Sequence, residues 1–328
     1  MSEPKYALTG IGNAMVDALS KVDESFISEM GMEKGIMQLI DEARAVEVYA
    51  AMNPEIESGG GSAANTMAGF ASFGGAGAFI GKVADDNLGQ TFADDLKSLG
   101  LYYNTQPLIV GPKTGRCLVL VTPDAHRTMN TYLGAGVELG PDDIDQDLIA
   151  SSAVTYLEGY LFDPSQAKKA FIKAGEIAHD AGHRISLSLS DPFCVERHRE
   201  DFQMLVEKHV DILFANEDEI KSLYQQDSFE DAAQIVAGKC EVAALTRSEK
   251  GAVIVSKDQQ VVIDAVPTEV VDTTGAGDQY AAGFLYGFSQ EMSLEQCGKL
   301  GAHAAAEVIS HMGPRPLISY KDLLKQAA

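Results

Sequence analysis

Between Ala153 and Thr246 four β-rich runs, AVTYL, RISLSLS, DILFAN and EVAALT, alternate with stretches of helical pattern. This alternation constrains the fold more than any other feature of the chain. Strand, helix, strand units in succession need right-handed crossovers, which make the sheet mostly parallel and cover both of its faces. Asp163 and Pro164 supply a cap and a fixed φ for a helix running to Ala181, and another helix is expected near Val195 to Val206. The expected fold class is α/β. At 328 residues and 45% hydrophobic composition, 1–328 is expected to form a single domain with a large core.

The first half is less regular. YALTGIG and GAFIGKV read as strands and Ser62 to Phe73 as a helix, but two pieces break the alternation. These are GIMQLI (Gly35 to Ile40) and the pair TGRCLVLVT and RTMNTYLGA (Thr114 to Ala135), which reads as a hairpin around a Pro-Asp turn. A small β-structure projecting from the main sheet is expected, built from segments about 14–57 and 104–136. NPEIES is polar and contains a proline, so no strand is expected there.

Charge narrows the partners. Lys+Arg number 25 against 48 Asp+Glu, a net charge of -23, and phosphate polymers and anionic membranes are bound by the opposite surplus. The start, MSEPKYALTG, lacks a signal-peptide pattern, and the Met67 to Gly81 run is too short and too rich in Ala and Gly to span a bilayer. Cys117, Cys194, Cys240 and Cys297 form no CxxC pair, which fits a reduced, cytoplasmic setting without zinc; Cys194 and His198 lack further ligands nearby.

Two glycine clusters carry the chemistry. In VVDTTGAGDQYAAGFLYG, Gly275 and Gly277 are poor helix formers at the entrance of an apolar helix. Bare amides there, with the helix dipole behind them, suit an anion. Asp278 then reads either as a first-turn acid worth up to ~1 kcal/mol or as a general base aimed at that anion. In SGGGSAAN, Gly59, Gly61 and Ala64 satisfy a relaxed dinucleotide fingerprint, but no strand is expected before them. After YALTGIG the sixth position is Met15, too bulky for that motif, and Gly81-Lys82 is followed by Val83 with Ala76 in place of the first P-loop glycine. An NAD-dependent dehydrogenase and a P-loop NTPase are therefore disfavoured. Asp17, Asn216, Thr246 and Asp278 all follow expected strands or open the next helix, so one cleft beyond the strands' carboxyl ends would collect them. A carboxylate just past a strand end, as expected of Asp17, can accept hydrogen bonds from two vicinal hydroxyls.

DTTGAGD before a small-residue helix resembles the signature of the ribokinase-like carbohydrate and nucleoside kinases. The resemblance implies a ribokinase-like three-layer α/β/α sandwich with a mostly parallel sheet and a small β-lid. It implies ATP-dependent phosphorylation of a primary hydroxymethyl group, with Asp278 as base and the amides of Gly275, Ala276 and Gly277 as anion hole. Within SGGGSAAN, Gly60, Gly61 and Asn65 would touch the substrate, as would Asn13 and Asp17 in GIGNAMVD, which resembles the adenosine kinase form of that motif. Arg127 matches a lid arginine that approaches the phosphate, and Met129 and Leu133 match lid positions facing the base. Asn216 and Glu219 match an NxxE motif whose acid helps hold Mg2+, usually through water. Thr246, Ser248 and Gly251 fall in a TxGxxG nucleotide loop, with Ser248 where the middle glycine is usual. His303 lies where relatives pack near the nucleotide base, although a half-buried structural histidine is the simpler reading. HMGPRP resembles a segment whose carbonyls help bind a monovalent cation such as K+.

With LSLSDPF (Leu187 to Phe193), these motifs point to adenosine as substrate and AMP as product. A fructose- or ribose-type sugar is the alternative. A catalytically silent sugar sensor on the same fold would lose the base, and Asp278 is present. Relatives use the lid as a monomer's flap or as a homodimer interface, so both states stay open.

Overall fold

The computed structural model describes residues 4–124 and 126–325. In chain order the strands of the first half are β1 (Tyr6–Ile11), β2 (Met15–Lys21), β3 (Met37–Leu39), β4 (Ile56–Gly60), β5 (Gly77–Ile80), β6 (Tyr102–Tyr103), β7 (Gly115–Val121) and β8 (Arg127–Tyr132). Those of the second half are β9 (Ser152–Glu158), β10 (Arg184–Ser188), β11 (Ile212–Asn216), β12 (Val242–Thr246), β13 (Ala252–Val255) and β14 (Gln260–Ile263).

Nine of these strands form one sheet in the order β14-β13-β12-β11-β10-β9-β1-β5-β6. It is parallel from β12 to β6, and β13 and β14 add an antiparallel edge. Continuous apolar strands such as ILFA and VAAL are buried on both faces, as a parallel sheet between helices requires. On one face, Phe171, Phe202, Leu223 and Val236 come from helices of the second half. On the other, Met67, Phe70, Phe92 and Leu96 from the first half pack with Phe284 and Cys297 near the C-terminus. The result is a three-layer α/β/α arrangement.

The second expected helix is longer than its sequence signal. It spans Pro192–Lys208 with a kink at His198 (φ -129°), and its earlier start follows from Asp191 capping the Cys194 amide and Pro192 in the first turn.

The remaining strands form a second sheet in the order β3-β8-β7-β2-β4. Helices Glu24–Glu29 and Glu42–Met52 cover one of its faces through Ile27, Val48 and Met52, which, with Met32 beyond the first helix, pack on Ala18, Leu118 and Leu120. Two expectations need correction. Residues 56–60 of the NPEIESGG stretch do form a strand, pairing antiparallel with Met15–Leu19, because Pro54 precedes the ladder and removes no hydrogen bond from it. Asp17 does not follow the end of a main-sheet strand. The chain turns at Gly12 to Ala14, and Asp17 sits inside β2 of the second sheet.

Candidate active site

Helices Ser62–Ser72 and Ala276–Ser289 lie against each other on the main sheet, so the two glycine clusters open side by side. Ser62 Oγ donates to Asp278 Oδ1 at 2.6 Å, and Gln279 Nε2 donates to the carbonyls of Asn65 (3.0 Å) and Pro314 (2.9 Å). Gly275 caps the second helix at φ +80°, and a Cβ there would stand 2.6 Å from the Pro314 oxygen. A Cβ on Gly277 would meet nothing within 4 Å, so space opens over the helix mouth, although the Ala276 amide already donates to the Thr273 carbonyl at 3.2 Å. Burial pushes the Asp278 carboxyl up to about 7. The Ser62 and Asn65 hydrogen bonds oppose that rise, while the negative charges of Glu158 and Asp17 add to it.

Asp17 faces these groups from the second sheet. A Cβ on Gly60 would collide with its carboxylate, which explains the middle glycine of SGGGSAAN. Gly61 turns the chain at φ +100° against the Asn13 carbonyl. The dinucleotide reading of this cluster fails here, because the space left by Gly59 is filled by the Asp95 carboxylate and that left by Gly61 by the Asn13 carbonyl. Burial raises the Asp17 carboxyl to about 6 against the pull of Arg315 and Arg127.

Sequence reading missed Glu158. It is 1% exposed at the end of β9, accepting from Asn13 Nδ2 (2.7 Å) and from the Ala63 amide (2.8 Å). Its signal was an acid closing the otherwise apolar run SAVTYLE. Asn13 Oδ1 is buried without a partner among the described residues.

Arg127 crosses from β8 to the glycine loop. Its Nη1 lies 2.7 Å from Asp272 Oδ2 and donates to Thr274 Oγ1 at 3.2 Å. Asp272 also accepts from the Thr274 amide and hydroxyl and from the Gly313 amide. Within HMGPRP the Gly313 amide donates to Asp272 and the Pro314 carbonyl accepts from Gln279 Nε2, with the Arg127 charge beside the Asp272 carboxylate. Met129 shares the Arg127 face of β8, and Leu133 follows that strand.

On the nucleotide side Asn216 and Thr246 stand in register at the ends of β11 and β12. Asn216 and Glu219 form a reciprocal cap: Asn216 Oδ1 accepts the Glu219 amide at 2.8 Å, and the Glu219 carboxylate accepts Asn216 N (2.9 Å) and Nδ2 (2.6 Å). Burial raises Glu219 to about 7, a cost that a nearby divalent cation would remove. Each oxygen keeps a lone pair, and no group of three acidic, His or Cys residues gathers to hold a metal among the described residues. This donor set fits Mg2+ held through water and nucleotide phosphates rather than in a protein cage. Ser248 adopts φ +52° and Gly251 φ +79°, so the serine keeps the left-handed backbone a glycine would supply. His303, on helix Leu294–Ile309, is half-buried, and burial lowers its pKa. Tyr160 joins the two halves: besides burial, the charges of Asp191, Asp278, Glu219 and Glu158 all raise its phenol.

A half-buried carboxylate at a helix mouth, beside open amides at the carboxyl edge of a parallel sheet, fits the ribokinase-like kinases, phosphotransferases with an alcohol group as acceptor. The chain is a member of the pfkB family of carbohydrate kinases, whose family model matches residues 37–319. It is 49% identical to the crystal structure of adenosine kinase from Sinorhizobium meliloti, covering 99% of this chain and 100% of that one at a TM-score of 0.90. It is 48% identical to a probable sugar kinase from Rhizobium etli CFN 42, covering 99% of each chain at the same TM-score of 0.90. Adenosine kinase of Saccharomyces cerevisiae is 26% identical over 94% of this chain and 96% of its own length. The family implies ATP and Mg2+. Among the described residues no helix is long and apolar enough to cross a membrane.

Proposed function

We propose that the protein phosphorylates the primary hydroxyl of adenosine, giving AMP. The observation that carries this choice lies on the open face of the second sheet. Ile56, Leu19, Val119, Met129 and Met37 stand in register across all five strands, beside the row holding Ser58, Asp17, Cys117, Thr131 and Leu39. An apolar strip next to a hydroxyl-binding carboxylate suits a flat purine attached to a diol. A free sugar would present hydroxyls to that strip and leave them unpaired. The identity to the Sinorhizobium enzyme supports the same reading. A sugar acceptor is the second reading, favoured by the equally similar Rhizobium etli chain.

In this account ATP with magnesium supplies the phosphoryl group and neutralises its charge. Asp17 and Asn13 hold the ribose hydroxyls, and Asn65 and Gly61 close the site around them. Asp278 takes the proton from the attacking hydroxyl; a base near pH 7 ionises readily and still accepts a proton. The amides of Gly275, Ala276 and Gly277 receive the developing charge, helped by Arg127. Thr246, Ser248 and Gly251 bound the nucleotide loop, His303 would lie beside the nucleotide, and Glu219 would help hold Mg2+ through water. The second sheet acts as a lid that excludes water, which would otherwise compete for the phosphoryl group.

The test is a coupled ADP-release screen over adenosine, other nucleosides, fructose and ribose. Adenosine should give the highest kcat/KM. A tenfold advantage for any free sugar would remove adenosine and leave the kinase.

A further inference from the structure

Glu158 has no part in the reaction described above. It is 1% exposed at the end of β9, and each of its oxygens holds one donor: Asn13 Nδ2 donates to Oε1 at 2.7 Å, and the Ala63 amide donates to Oε2 at 2.8 Å. The Ala63 amide lies in the first turn of helix Ser62–Ser72, where the helix supplies it no carbonyl of its own. Gly12 makes room for this contact, since a Cβ there would stand 2.3 Å from Glu158 Oε2. Asn13 is 2% exposed, and its Oδ1 has no hydrogen-bond partner among the described residues. That oxygen borders a gap kept open by Gly136. A Cβ on Gly136 would sit 3.1 Å from Asn13 Oδ1, with its next neighbours, the Ala14 nitrogen and Asn13 Cα, at 3.8 and 3.9 Å.

An ionised carboxylate offers only acceptors, so the end of the Asn13 amide that meets Glu158 must be its NH2. The amide oxygen is then left for another donor. We propose that Glu158 is a positioning residue that decides which end of the Asn13 amide meets the substrate: by holding the NH2, it presents Oδ1 as an acceptor for a hydroxyl. Asp17 and Asn13 abut the neighbouring glycines Gly60 and Gly61, so the site offers acceptors from both residues. A substrate must then bring hydroxyl hydrogens to both, and a keto oxygen or carboxylate in either place would meet lone pairs. The inference deepens the proposed reaction and rests on Asn13 touching the phosphorylated substrate. A protonated Glu158 would reverse the amide, because its O–H would take the Asn13 oxygen.

Glu158→Gln separates the two arrangements, because glutamine has one donor end and one acceptor end. Its oxygen is held by the Ala63 amide, so its NH2 takes the Asn13 oxygen and turns the Asn13 NH2 outward. Calorimetry measures binding of adenosine, 2′-deoxyadenosine and 3′-deoxyadenosine at pH 8, where Asp278, whose carboxyl the Glu158 charge also raises, is largely ionised. Adenosine should bind the variant roughly 10–100-fold more weakly, the usual worth of an unmet buried hydrogen bond. The deoxynucleoside lacking the hydroxyl that Asn13 takes should bind variant and wild type alike. Melting temperature and ATP-magnesium binding check the fold. Unchanged adenosine affinity would mean that Glu158 carries a proton and already holds the Asn13 oxygen. Equal losses for all three nucleosides would mean that it acts on no single hydroxyl. Either result overturns the proposal. Glu158→Gln with Asn13→Asp exchanges the two groups: the new amide donates to the new carboxylate, whose second oxygen returns to the gap, and adenosine affinity should largely recover. Should Glu158→Gln alone not fold, the exchanged pair carries the test, and a loss of about tenfold or more in it would overturn the proposal. Side-chain 15N NMR of the free protein, with Asn13→Asp assigning the signal, reads the amide without a substrate. In Glu158→Gln the Asn13 NH2 should lose its carboxylate partner and move upfield, and an unmoved signal counts against the proposal. That shift in a protein that binds no adenosine would sink the adenosine reading and keep the positioning role.

Discussion

Ser62 Oγ and Asp278 Oδ1 are 2.6 Å apart although 216 residues separate them in sequence. The bond joins the first turns of two helices that each open on glycines, and it aims the candidate base between them. Asp278→Asn should lower kcat by roughly 10²–10⁴-fold, the usual worth of a positioned base. KM for the substrate should stay within about tenfold, since asparagine keeps the size and an acceptor for Ser62. A folded variant turning over near the wild-type rate would reduce Asp278 to a helix-end charge.

The same site makes a stability prediction with a definite sign. The sequence alone suggested an exposed helix end, where losing the acid costs up to ~1 kcal/mol. The structure instead buries Asp278 in part and raises its carboxyl from 3.8 to about 7, with Asp17 raised to about 6. Between these values and the unfolded values near 3.8, the folded protein holds more protons than the unfolded chain, so stability falls as pH rises. Asp278→Asn removes its share and should raise Tm at pH 8 more than at pH 5. An equal change at both pH values would show that the carboxyl is not displaced.

Asp17 should govern the acceptor substrate and leave the nucleotide alone. Asp17→Ala should weaken binding of the phosphorylated substrate by ~2–4 kcal/mol, because buried hydroxyls lose a charged acceptor. Isothermal titration with ATP-magnesium should show little change. Matching losses for both ligands would mean that the cleft is divided differently.

Ser248 holds a left-handed backbone, φ +52°, where an L side chain is strained. Ser248→Gly should therefore raise the unfolding free energy by about 0.5–1 kcal/mol, after the extra freedom glycine gives the unfolded chain. Ser248→Val, with a branched Cβ, should lower it. Denaturant midpoints would measure both, and a less stable glycine variant would mean that the serine side chain holds the loop.

The sequence by itself determined the main sheet. Its strands are apolar on both faces and its helices start at Asp, Ser and Pro signals, and both are local patterns that survive without knowledge of neighbours. It also marked most of the candidate site, because glycines at a helix mouth and acids at strand ends are unusual enough to stand out. What it left undecided depended on pairing. β4 formed despite a polar sequence because Met15–Leu19 offered it a partner, and that pairing carried Asp17 into the second sheet. Glu158 and Arg315 look like ordinary surface charges in one dimension. Only the fold brings Asn13 and the Ala63 amide to the first, and Asn65 and Asp95 to the second. A local pattern records which backbone a residue prefers. The cost of burying its charge depends on partners hundreds of residues away, which the chain meets only once it is folded.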